Sequence, residues 1–411
     1  MRPHAVAHGG GVIAHDAEGA VMVFYALPGE LVETEPRGRR GGLRVAAARE
    51  VLEPAPERVS PRCPHFGVCG GCQWQHASYP RQLELKRQVV VDAWQRAGLR
   101  LPADALVLGM ADPWRYRIRG EFEVSSYGAR VELGFHRLRS HAVLPIGSCP
   151  IHDERIERAM LAFGEAATAV RAEGLIGLLL TVEPSGPGLL WRPRWQRPSQ
   201  AVAAPDLAAH AARLLPDLVL LDDSLSLEFW GLAFRVRSDT FVQTNYRQML
   251  VLYQALLDML EPEPADRVLD LYSGIGTISL AVARQAGAVT AVEENPAAVR
   301  LAGLNARINS ARNVRPLPGR VEVALRQARA GDFTAVVLDP PRAGCEPAAI
   351  AELLRLGAQR LVYVSCEPST HARDLALLVR GGYRVRRAAL VDMFPQTYHI
   401  ESVALLERAA G

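Results

Sequence analysis

Two groups of side chains in this sequence could do chemistry. The first is Cys63–Cys72, CPHFGVCGGC, which holds three of the six cysteines. Its spacing, C-x5-C-x2-C, is odd for disulfides and one ligand short for a tetrahedral metal site. Cys149, in GSCP, is the natural fourth ligand, because Cys345 and Cys366 fall in a later region. Gly67, Gly70 and Gly71 let the backbone wrap around something bulky. Spacing alone does not separate a zinc ion, with His65, His76 or His152 as rival ligands, from an iron–sulfur cluster.

The second group is spread over the last third of the chain. Cys366 lies in SCEPSTHARDL, where a strand gives way to a helix. The positive end of a helix dipole should lower the pKa of a thiol there. Asp339 opens DPPRAG after the apolar run Thr334–Leu338, and two prolines stiffen the turn that carries it. Glu401, in YHIES, precedes the apolar run Val403–Leu406 and is a candidate base, with Asp392 and His399 close by in sequence. Cys345, just past the DPPR turn, reads as packing.

These groups need a platform. Val268–Leu280, VLDLYSGIGTISL, reads as a buried strand, a glycine turn through Gly274 and Gly276, and a helix start. Glu293 ends the next strand, where an acidic residue can hold ribose hydroxyls. A dinucleotide fingerprint needs a third glycine, and Ser279 stands in its place. The turn therefore suits S-adenosylmethionine, which carries no phosphate, better than a nicotinamide dinucleotide. From about residue 232, apolar runs alternate with helical patterns, which predicts a parallel sheet covered on both faces.

A chain of 411 residues has room for two or three domains. The reading divides it into 1–56, a small β-barrel with a basic loop at Arg37, Arg39 and Arg40; 57–231, a central α+β region; and 232–411, the α/β region. In the central region Tyr79–Ala97 reads as a helix, EFEVSSY and ARVELGFHR as a hairpin, and WRPRWQRPSQ as an irregular connection. Arg115, Arg117 and Arg119, two apart, would share one face of an extended chain, either a solvated strand face or a phosphate-facing stripe. The N-terminus lacks a secretory pattern and Leu175–Val182 is too short to span a bilayer, so a cytoplasmic protein with no membrane partner is expected. The formal net charge is +3, and Lys86 is the one lysine beside an otherwise all-arginine complement.

In order along the chain, HGGGVIAHDAEG, the cysteine segment, WRYRIRGEFEV, FVQTN, DLYSGIGT, DPPRAG, SCEPSTHARDL and DMFPQTYHIE resemble the S-adenosylmethionine-dependent RNA uridine-5-methyltransferases. More narrowly, they resemble the iron–sulfur branch that modifies 23S ribosomal RNA. The resemblance covers essentially the whole chain. It implies a class I, Rossmann-like methyltransferase domain, an N-terminal TRAM-like barrel that binds RNA, and a central domain whose [4Fe-4S] cluster is held by Cys63, Cys69, Cys72 and Cys149. It implies Cys366 as nucleophile and Glu401 as the base that removes the C5 proton. Gln243, Tyr272, Gly274, Thr277, Glu293 and Asp339 would contact cofactor or substrate, and Phe241 and Asn245 frame the same motif as Gln243. One departure is Arg320, where the family often has Asp or Asn against the adenine. The enzyme is expected to act as a monomer on RNA: rRNA, or as an alternative tRNA. A non-catalytic RNA binder would have no use for both Cys366 and Glu401.

Overall fold

The computed structural model describes residues 1–128, 130–138 and 140–409. Three sheets carry the molecule, apart from a two-stranded hairpin over Ser224–Arg237. The N-terminal sheet runs, edge to edge, Ala5–Val6, Val12–Asp16, Gly19–Phe24, Leu43–Glu53 and Leu31–Arg40. Inward-facing Val12, Ala14, Val21 and Val23 form its core. The basic residues expected in a loop lie instead at the exposed end of the strand Leu31–Arg40, which pairs antiparallel with Leu43–Glu53. Glu30 ties this sheet to the cysteine segment. Its buried carboxylate accepts from Leu27 N (2.7 Å) and pairs with Arg58 (2.5 Å).

The central sheet has the order Val219–Leu221, Gly188–Trp195, Leu175–Val182, Arg119–Tyr127, Arg130–His136, Val143–Pro145. Helices Glu154–Ala169 and Ala204–Leu214 bury Ile156, Met160, Phe163 and Leu207 in the same core as Leu178, Leu180 and Leu189. The expected irregular connection at Trp191–Gln200 is strand as far as Trp195, paired along its length with Leu175–Val182. Buried Trp191 donates to Asp222 (2.7 Å), so the proline-rich sequence is held by its neighbours rather than by its own propensity.

The C-terminal sheet has eight strands: Val314–Pro318, Ala288–Glu293, Arg267–Leu271, Ala335–Leu338, Arg360–Ser365, Glu401–Arg408, Tyr383–Val391 and Leu106–Leu108. The first five are parallel, as their continuous apolar runs predict. The wholly parallel expectation fails beyond them, because Glu401–Arg408 inserts antiparallel to both its neighbours. This insertion brings Glu401 back to the same edge as the ends of the parallel strands. Helix Tyr79–Arg96 buries Val90, Ala93 and Trp94 in the core on one face of this sheet, and Leu106–Leu108 extends its edge. No helix among the described residues is long and apolar enough to cross a membrane.

Candidate active site at the strand ends

Register alone lines up the expected residues. Leu271 pairs with Val292, so Tyr272 and Glu293, the next residues of the two parallel strands, come level. Leu271 pairs with Leu338, so Asp339 comes next. Leu338 pairs with Tyr363 of the neighbouring strand Arg360–Ser365, which Cys366 follows. Ser365 pairs with Ser402, which sets Cys366 opposite Glu401 across two neighbouring strands. Residues paired this way have Cα atoms about 4.5–5.5 Å apart. Glu293, Tyr272, Asp339, Cys366 and Glu401 thus form one row along the carboxyl edge, where open α/β sheets bind ligands.

One end of the row is shaped for a nucleoside. Gly274 and Gly276 have φ of +56° and +85°, and a Cβ on Gly276 would press on Ala302 at 3.4 Å. Tyr272 takes φ +62°, a strained backbone for a tyrosine that the surrounding turn must enforce. Glu293 shapes the turn by accepting from Gly274 N (3.0 Å) and Asn295 N (2.7 Å). Thr277 begins helix Thr277–Ala283 and shares a hydrogen bond with Tyr253 (2.8 Å). Ser279, where a dinucleotide fingerprint has glycine, donates to Asp270 beneath the turn. Arg320 caps helix Val321–Gln327 after the outermost strand and pairs with Glu322 (3.3 Å), so its exposed side chain is engaged in an ion pair.

The other end gathers acids. Burial pushes Asp339 up to about 7 and Glu401 to about 8; nearby Asp339 also raises Glu401, while Arg342 lowers it. Burial likewise takes Asp270 to about 7, with Asp339 and Glu293 adding to the effect. Cys366 departs from the sequence expectation. Its pKa is raised to about 12, first by burial, then by Glu401 and Asp339. Helix Pro368–Arg380 starts two residues later, but a helix end is worth only about 0.3–1 kcal/mol to a nearby charge. Desolvation beside two carboxyl groups outweighs it.

The FVQTN motif turns inward along its length: Phe241 is 72% exposed, whereas Val242, Gln243 and Asn245 are buried. Asn245 caps helix Tyr246–Leu260 by accepting from Gln248 N (3.1 Å), and it donates to Met393 O (3.0 Å). The Asp392–Phe394 turn is gripped again by Lys86. Its ammonium, fully buried, donates to Asp392 (2.5 Å) and to Phe394 O (3.0 Å), while Tyr79 donates to the other Asp392 oxygen (3.0 Å). Asp392 is therefore a structural partner of Lys86.

Two residues near the thiol went unnoticed in the sequence. Arg342 lies within DPPRAG, approaches His399 (3.5 Å), and lowers both Cys366 and Glu401. Its motif was visible, though its reach was not. His8 of the N-terminal sheet comes within 3.5 Å of Glu367, next to Cys366; nothing in the sequence marks so distant a contact. The arginine stripe is not a surface feature. Arg115 has φ +51° and pairs with Glu157 (2.7 Å), and Arg119 donates to Thr240 O and Ser238 O (both 3.0 Å). Arg117 turns toward the cysteines.

Cys63, Cys69, Cys72 and Cys149 line one chamber of about 280 Å³, together with Arg117, His65 and His152. All four are free thiols. Burial raises them, Cys72 to about 11 and Cys149 to about 12, and each of these two also feels other cysteines of the set. His76, a rival ligand by sequence, is outside this lining and faces Ala26 O (3.4 Å). Among the described residues no three His, Cys, Asp or Glu side chains converge as ligands of a single ion do. The set is spread around a space instead. Its wall has orphaned polar atoms: Arg117 Nε and both ring nitrogens of buried His152. Soft donors around an open chamber with unpartnered polar groups fit a polynuclear iron–sulfur group.

Known proteins resemble this chain along its length. The family model for tRNA (uracil-5-)-methyltransferases matches residues 209–409. The 23S rRNA (uracil(1939)-C(5))-methyltransferase RlmD of Alkalilimnicola ehrlichii is 34% identical, over 98% of this chain and 95% of the relative. An RNA methyltransferase of Halalkalibacterium halodurans is 32% identical over 96% and 95%. The Pyrococcus abyssi tRNA (uracil-54, C5)-methyltransferase, solved with S-adenosyl-L-homocysteine, superposes with a TM-score of 0.75 over 99% of both chains at 21% identity, so the fold is shared. The chain belongs to the RNA uracil-5-methyltransferase family.

Proposed function

We propose that this protein methylates carbon 5 of a uridine in RNA, with 23S rRNA as the favoured substrate. The observation that carries this is the register that sets Cys366 opposite Glu401 at adjoining strand ends, with Asp339 one strand away. Carbon 5 of uracil is a poor nucleophile. Addition of the Cys366 sulfur to C6 breaks the conjugation and makes C5 enolate-like. S-adenosylmethionine supplies the electrophilic methyl group. Glu401 then takes the C5 proton, the C5–C6 double bond re-forms, and the thiolate leaves. Gln243 and Asp339 position the base. Gly274, Tyr272, Thr277 and Glu293 hold the nucleoside end of the cofactor. Exposed Phe241 offers a ring on which an unstacked base can lie, since C6 must be freed from a helix before a thiol can reach it.

The remaining parts serve this site. Residues 1–56 act as a TRAM-like RNA-binding module with Arg39 and Arg40 at an exposed hairpin end, 57–231 as the central domain, and 232–411 as the methyltransferase domain. Cys63, Cys69, Cys72 and Cys149 hold a [4Fe-4S] cluster as a staple, because the methyl transfer needs no electron. The rRNA reading rests on relatives that align over nearly their whole length.

RNA carrying 5-fluorouridine at the target should form a covalent adduct at Cys366, because fluorine cannot leave as a proton. The Cys366→Ala protein should form none and should not methylate. Methylation by that variant at the wild-type rate refutes the mechanism. Anaerobic purification should give a brown protein with about four irons per chain; a colourless protein with stoichiometric zinc refutes the cluster.

A further inference from the structure

Arg117 is the cationic residue of the cysteine chamber wall. It lines the chamber, whose wall holds no carboxylate among the described residues, and its Nε has no partner. A guanidinium held without a counter-charge is costly unless an anion comes to meet it. Four thiolates around iron and sulfide form such an anion.

The same residue reaches the other way. Its backbone is bonded to the Cys149–Asp153 segment, through Arg117 N to Ile151 O and Asp153 N to Arg117 O (2.9 Å each). Its guanidinium carbon lies 5.8 Å from the Phe394 ring centroid. Next to it, buried Tyr116 donates to Pro395 O (2.9 Å) and Ile118 N to Thr244 O (2.9 Å). Phe394 meets His399 edge-on at 5.8 Å, two residues before Glu401. Tyr116–Ile118 therefore spans from the chamber wall to both turns that frame the base site.

We propose that Arg117 is the counter-ion of the group held by the four cysteines and, through Phe394, a positioning residue for the turn that carries Glu401. This rests on the cluster reading above. Such a role differs from a passive staple, because occupancy of the chamber fixes where the guanidinium sits, and the guanidinium fixes the ring. Removing it should loosen the cluster and misplace the base separately. Lysine should restore the first effect but not the second, since it keeps the charge and lacks the planar face that packs on an aromatic ring.

The test uses full-length protein purified anaerobically: wild type, Arg117→Met and Arg117→Lys. Iron and sulfide content, the decay of visible absorption in air, and Fe–S stretching by resonance Raman are read beside kcat and KM for RNA. The Met variant should lose its colour about ten-fold faster, with shifted Fe–S bands, and its kcat should fall about ten-fold at little-changed KM. The Lys variant should decay at the wild-type rate yet keep the low kcat. Wild-type decay and Raman bands in the Met variant overturn the counter-ion role. Wild-type kcat in the Lys variant overturns the positioning role, and this arm stands even if the Met variant does not fold. A brown wild type with unaffected variants refutes this proposal alone, whereas a colourless wild type refutes the cluster reading beneath it.

Discussion

Glu401→Gln should make the protein more stable and nearly inactive. The Glu401 carboxyl is buried and titrates at about 8, against about 4.5 when free. Between those values the folded protein binds a proton that the unfolded chain has released. Stability therefore falls as pH rises through that window. The interval corresponds to at most about 5 kcal/mol, and coupling to Asp339 shares part of it, leaving about 2–5 kcal/mol at pH 8. Glutamine has the shape of the protonated acid and never ionises, so it escapes this penalty. Thermal unfolding at pH 8 should show the variant melting several degrees above wild type. The two should converge well below pH 4.5, where wild-type Glu401 is protonated in both states. Turnover should fall by about 10²–10⁴, the usual worth of a general base, while a denaturant-resistant protein–RNA adduct accumulates. A variant that melts below wild type at pH 8 refutes the buried-acid assignment, and one that turns over normally removes Glu401 as the base.

Two other outcomes follow from the same charges. A sulfonium beside Asp339 and Glu401, titrating near 7 and 8, should favour their ionised forms. Calorimetry in buffers of different ionisation enthalpy at pH 7 should then show about half a proton or more released with S-adenosylmethionine than with uncharged S-adenosylhomocysteine; equal release contradicts the placement. Lys86→Met leaves Asp392 buried without its cation and should cost about 3–5 kcal/mol in denaturant unfolding, whereas Lys86→Met combined with Asp392→Leu should recover much of that loss.

What could be read from the sequence followed local rules. The strand–glycine turn–helix at 268–280 and the apolar runs of the parallel strands are periodic or positional signals, and the structure has them in place. Cys366 and Glu401 could be named, but their apposition could not be seen, because it depends on the antiparallel return of Glu401–Arg408. The thiol was misjudged for a similar reason. The helix dipole is a near-sequence effect, whereas the two carboxyl groups that oppose it arrive from other strands. The arginines at 115, 117 and 119 looked like a stripe because their spacing implied an extended chain. The positive φ at Arg115 breaks that geometry; Glu157 takes the Arg115 side chain, the Thr240 and Ser238 carbonyls take Arg119, and Arg117 turns into the cysteine chamber.

At rest the site holds little charge for a place so rich in ionisable groups. Burial pushes Glu401 up to about 8, Asp339 and Asp270 to about 7 and the Cys366 thiol to about 12, which holds all four toward their uncharged forms. A thiolate formed there without a counter-charge would face desolvation and two acids at once. The Arg342 guanidinium, which lowers both Cys366 and Glu401, offsets part of that cost, and a bound sulfonium would add to that offset. The arrangement thereby couples nucleophile activation to the presence of a methyl donor. The raised thiol pKa, which contradicts the simple expectation from the helix terminus, fits an enzyme that must not attack uracil, or be alkylated itself, before its second substrate is bound.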